Sequence, residues 1–189
     1  MKIRILITTL VVFLAGLTIL QAQGFQPPAP GKAVVYFARV TPYGGNTSFE
    51  YFHNDRYIGI FKKKNYMRYE LDPGEQLLWI SSENKEFITC DLKEGGSYII
   101  IIDVIMGFWK AHVGATPITV DDTEKFERAK ELILSKKPVE TSEKKIAEMN
   151  EKLSDFIPEM LERYENEWKD ERNFRHINPD MAIPEEAMQ

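Results

Sequence analysis

A single cysteine, Cys90, stands in a chain of 189 residues, so no internal disulfide can form and none lies near the N-terminus to carry a lipid. Stability must therefore come from burial. The three histidines, His53, His112 and His176, have no second His or Cys three or four residues away, which excludes the common zinc spacings. No Gly-x-Ser-x-Gly, phosphate-binding glycine loop or dinucleotide fingerprint occurs, and the pairs Gly44-Gly45 and Gly95-Gly96 read as turns. Positive charge is also in short supply, with Lys+Arg 24 against Asp+Glu 29. At a net charge of −5 a nucleic-acid partner has no electrostatic footing.

The only long apolar run is Ile5 to Leu20, preceded by Lys2 and Arg4 and followed by Gln21-Ala22-Gln23. At 16 residues it falls short of the ~20 a spanning helix needs, and the layout is that of a secretory signal. Cleavage after Ala22 and a periplasmic or secreted destination are expected, the alternative being an anchor retained in the membrane. Contact with a membrane is expected only through that uncleaved segment.

Beyond it the chain changes character near Val120. Residues 23–120 hold 10 basic, 10 acidic and 16 aromatic residues, whereas residues 121–189 hold 12 basic, 19 acidic and 5 aromatic ones. The first part reads as strands: Ala33–Arg39, a hairpin through Asn54-Asp55 into Tyr57–Phe61, and Met67–Leu71 turning at Asp72-Pro73-Gly74 into Leu77–Ser81. Ile88–Leu92, the continuous apolar run Tyr98–Val104, and short strands at Trp109–Val113 and Ile118–Val120 complete the series. The expected fold is mainly β, an antiparallel β-sandwich of seven to nine short strands, over 32–120, after a linker at 23–31.

From Asp121 the period becomes helical. One helix begins near Thr123 and stops before Pro138. A second, after Thr141 or Ser142, carries the stripe Ile146, Met149, Leu153, Phe156, Met160, Tyr164 and Trp168, and Pro158 demands a kink or a new segment near Asp155. Residues 121–172 are thus expected to form a two-helix acidic extension, 173–189 a loose tail, and the sandwich to fold without either. The stripe either completes the core or docks another helix or a second copy.

Four stretches, GKAVVYFARV from Gly31, NDRYIGIF from Asn54, YELDPGEQLLWIS from Tyr69 and LKEGGSYIIIIDVIMGFW from Leu92, together resemble a bacterial family known only as domain of unknown function 2846. The resemblance implies a small exported β-sandwich and transfers no catalytic residue. Members often begin with a lipid-attachment cysteine and lack a long helical extension, and this chain departs on both counts.

The expected function is a non-enzymatic exported binding or scaffolding module of the bacterial cell envelope with a protein partner, no cofactor and no metal. Its candidate binding surface is aromatic: Tyr43, Tyr66, Trp79, Trp109, Tyr164 and Trp168, residues equally suited to a core. A carbohydrate- or peptide-binding module would rest on the same aromatics, chiefly Trp79 and Trp109. An envelope enzyme would need His53, His112 and Asp103 to meet in one cleft. Cys90, alternating with Ile88 and Leu92, reads as a buried thiol, and Lys62-Lys63-Lys64 as a solvated turn blunting an edge.

Overall fold

The computed structural model describes residues 23–44, 47–106 and 111–189, with the side chains of Met106 and Ala111 left aside. Among the described residues nine strands form two sheets. They are β1 (Ala33–Arg39), β2 (Ser48–His53), β3 (Arg56–Lys62), β4 (Asn65–Leu71), β5 (Gly74–Ser81), β6 (Lys85–Leu92), β7 (Ser97–Met106), β8 (Ala111–Ile118) and β9 (Arg175–Ile177). The four-stranded sheet runs β4-β1-β7-β8 and the five-stranded sheet β3-β2-β5-β6-β9. The result is a sandwich, but a mixed one, because β1 pairs β7 in parallel and β6 pairs β9 in parallel. Where two short strands were expected, β8 is one strand. Its Pro117 is tolerated because β8 is an edge.

Alternation sends Val35, Phe37, Tyr51, Leu78, Ile88 and Ile100 between the sheets. The opposite faces are apolar too. Val34, Tyr36, Ala38, Ile99 and Ile101 lie under α1 (Thr123–Ser135), which contributes Phe126, Ala129, Leu132 and Ile133. Phe52, Tyr57, Trp79 and Phe87 lie under α2 (Glu143–Lys152) and α3 (Phe156–Arg163), which continues through a π turn at Tyr164–Trp168. The molecule is therefore four layers, helix on sheet on sheet on helix, and all seven residues of β1 are buried. The helical stripe completes the protein's own core, so neither Tyr164 nor Trp168 is free to join copies of the chain.

Two expectations about the chain ends are corrected. The segment 23–31 is a strap rather than a loose linker: Gln26 N–H donates to the Tyr36 hydroxyl (2.8 Å), which donates back to the Gln26 carbonyl (3.0 Å), and Arg68 holds the Pro27 carbonyl (3.0 Å). The tail is docked, not loose. Ile177 enters the inter-sheet core, Ile183 enters the layer beneath α1, and Ile183 N–H donates to the Ser97 carbonyl (2.8 Å). Each isoleucine gains a fully apolar site, which offsets the ordering of a short polar segment.

Side-chain amides guard the exposed edges. Asn150 of α2 accepts from Tyr57 N–H (2.9 Å) and donates to the Tyr57 carbonyl (3.1 Å), imitating a neighbouring strand. Asn84, in the β5–β6 turn, treats Val113 of β8 the same way, at 2.7 and 2.9 Å. Thr141 accepts from Ile60 N–H (3.1 Å), and its close approach is permitted by Gly59, where a Cβ would come within 3.0 Å of the Thr141 hydroxyl. We expect Asn150→Ala to cost about 1–3 kcal/mol, since it leaves two backbone groups of a half-covered edge unpaired. Chemical denaturation of the two proteins measures the difference, and Asn150→Asp should lose at least as much, since its second carboxylate oxygen would face the Tyr57 and Ile146 carbonyls that the amide now donates to.

Candidate functional site

One end of the sandwich gathers what the rest of the fold does not internalise. The register brings it together: Arg39 faces Asn65, Ser48 faces Lys62, Ala38 faces Ile101 and Met106 faces Ala111. The β1–β2 loop, the β3–β4 turn and the β7–β8 hairpin therefore share this end. The C-terminus of α1 joins them, because the Tyr66 hydroxyl donates to the Lys136 carbonyl (3.1 Å) and Lys136 Nζ donates to the Lys64 carbonyl (2.6 Å).

Arg39 organises the loop. It is the lone charge in an apolar strand and points between the sheets, where it is 0 % exposed. Its guanidinium donates to the carbonyls of Thr47 (2.7 Å), Tyr43 (2.9 Å) and Gly44 (2.6 Å) and lies over the Phe49 ring at 5.1 Å. Gly44, at φ +63, rests on β7 so closely that a Cβ would come within 2.9 Å of Val104. Burial, above all, lowers the Arg39 pKa, yet a guanidinium remains charged throughout the usual range.

At the surface of this end stand Tyr43 (56 % exposed), Ile105 (54 %) and Leu134 (41 %), all of the exposed large hydrophobics among the described residues. On the β4 and α1 side of the same end are the exposed Lys62, Lys63, Lys136 and Lys137, with Lys64 half-buried. The carboxylates of the same region include Glu83, in the β5–β6 turn, Glu50, Asp103, which with Ile105 flanks Gly114, and the exposed Glu131 and Glu140 near the end of α1. Burial raises the Glu50 pKa against the opposing pull of Lys152, Lys85 and Lys145. The strap also starts here: Gly24 N–H donates to the Ile133 carbonyl (3.1 Å).

Of the six aromatics expected to form a binding surface five are described, and of these Tyr43 alone is exposed. Trp109 lies outside the described residues. Tyr66 is buried beside Tyr36, at 6.1 Å between ring centroids. Trp79 is enclosed on both faces, stacked 3.7 Å from Phe52 and 5.4 Å from Phe87, with its indole N–H donating to the Asn54 carbonyl. Phe87 stacks in turn on Tyr164 (4.4 Å), and Trp168 is covered by the guanidiniums of Arg163 and Arg172 at 4.6 and 4.8 Å. No sugar platform can rest on Trp79, because its faces are occupied by its neighbours.

His53, His112 and Asp103 do not converge. His53 lies in the five-stranded sheet, whereas Asp103 pairs with Gly114 and His112 with Ile105 in the other. The Gln76 carbonyl oxygen, 2.7 Å from His53 Nε2, can only accept, so the ring proton sits there and Nδ1 accepts from the Tyr69 hydroxyl at 3.0 Å. This is a polar bridge between the sheets. Among the described residues no group of three or more His, Cys, Asp or Glu side chains could hold a metal ion. Cys90 is buried and its thiol is pushed up to about 12 by desolvation. Folded protein should therefore leave a thiol reagent unreacted at neutral pH and consume one equivalent only on unfolding, which absorbance of the released reagent reads directly.

No family model matches the chain, and neither a curated protein nor a solved structure matches it. The exposed end had two traces in the sequence, the lysine runs at 62–64 and 136–137. Nothing local says that they meet.

Proposed function

We propose that the protein is a non-enzymatic exported binding module of the bacterial cell envelope that works through this one end of its sandwich. The observation that carries the reading is a segregation. Among the described residues Tyr43, Ile105 and Leu134 are the large hydrophobics left in solvent, they share one end, and the lysines of the β3–β4 turn and of the end of α1 stand at that same end. An apolar patch rimmed by charge is the usual signature of a contact surface. Export is supported by Lys2 and Arg4 ahead of the apolar run Ile5 to Leu20, and by the strand and glycine order that resembles a family of exported sandwiches.

A photo-crosslinking residue placed at Tyr43 or Ile105 in cells tests the reading, with Glu151, exposed on α2, as the control position. Adducts should form from the first two positions and not from the third. Equal labelling from all three, or turnover in a hydrolase or transferase screen that is lost on changing His53, would overturn it.

A further inference from the structure

We propose that the partner of this end is the surface of an anionic lipid bilayer; the inference rests on the binding-module reading and names its ligand. Two observations select lipid. The first is charge. The molecule carries a net −5, and residues 121–189 hold 19 acidic against 12 basic residues, yet the lysines of the β3–β4 turn and of the end of α1 lie side by side. A negatively charged plane attracts this end and repels the remainder, so the protein is oriented as well as held. Lysine stems at the same end as Tyr43 and Leu134 also suit an interface, where apolar bodies sit below charged heads.

The second is where the chain leads. Gln23 and Gly24 lie against the carbonyls of Leu134 and Ile133, at this same end. The apolar run ends at Leu20, three residues before Gln23, a tether of about 10 Å at full extension. A chain that keeps its N-terminal segment in a bilayer can present no other end to it. A chain that has lost it keeps the lysines and the exposed hydrophobics.

The test is vesicle partitioning of the protein as the cell makes it. Neutral phosphatidylcholine vesicles are compared with vesicles of which about a third of the lipid is phosphatidylglycerol. A lysine at an anionic surface is worth about fivefold in binding, so the wild type should prefer the anionic vesicles by at least about twentyfold at low salt. The variant Lys62→Gln, Lys63→Gln, Lys137→Gln alters exposed side chains and should melt as the wild type does. Three lysines at about fivefold each outweigh that preference, which should fall to near one. A wild-type preference near one, or a preference untouched in the variant, overturns the proposal. Loss of binding in millimolar inorganic phosphate would reassign the lysines to a free phosphate ligand, which also overturns it. Protein adducts from Tyr43 without any lipid preference would sink the lipid assignment while leaving the binding-module reading intact; failure of both experiments removes both.

Discussion

A chain ended after Val120 should give no cooperative thermal transition and should aggregate. The shift in composition near that residue suggests a self-sufficient sandwich, and the structure argues otherwise. Removing everything beyond it uncovers the outer faces of both sheets, including Tyr36, Phe52, Trp79 and Phe87, each 0 % exposed in the intact protein. Re-exposing a large aromatic forfeits roughly 2–3 kcal/mol, so four of them approach the whole stability of an ordinary domain. The truncation also deletes Ile177 and both the Asn150 and Thr141 clasps on β3. Near-ultraviolet circular dichroism during a melt is the measurement. A sharp transition in the truncated chain would mean that the helices are accessory.

Replacing Arg39 by Met should cost about 3–5 kcal/mol, as is usual when one side of a buried charged network is removed. The methionine fits the volume but leaves the carbonyls of Tyr43, Gly44 and Thr47 without their shared donor. Arg39→Lys should recover part of the loss, since an ammonium is charged but cannot fan its donors across three acceptors in one plane. Urea denaturation of the three proteins at one pH gives the order wild type, Lys, Met. Because the loop carries Tyr43, hydrogen exchange should quicken there first in both variants. An unchanged midpoint for Arg39→Met would show that the cage contributes nothing net.

The strands and helices were largely legible. The run AVVYFAR is β1, Asn54-Asp55 turns β2 into β3, Asp72-Pro73-Gly74 leads into β5, and α1 starts at Thr123 and stops short of Pro138. Pro158 sits inside a new helix that begins at Phe156, one of two outcomes that its missing N–H allows. Faces were harder. Period-two alternation sorts residues onto two sides of a strand but does not say that both are covered: in β5, Leu78 and Ile80 face the other sheet while Trp79 faces the helices. Whether an aromatic is a platform or a layer of core depends on what lies over it, and the cover of Trp79 comes from residues far along the chain. The parallel pairing of β1 with β7 is likewise a long-range fact. In the tail, Ile177 is a lone apolar residue and Ile183 ends the short run Met181-Ala182-Ile183 between prolines, with no period to reveal either. The exposed end escaped notice for the same reason, since Lys64 and Lys136 are 72 positions apart.

The short strand β9 makes closure of the fold a non-local event. It covers the edge of β6 and inserts Ile177 between the sheets, and its residue His176 bonds Thr89 from 87 positions along the chain. The inter-sheet core is complete only when the helices have been laid across the sheet and the chain has come back to its edge, so closing the sandwich and docking the helices are one cooperative step.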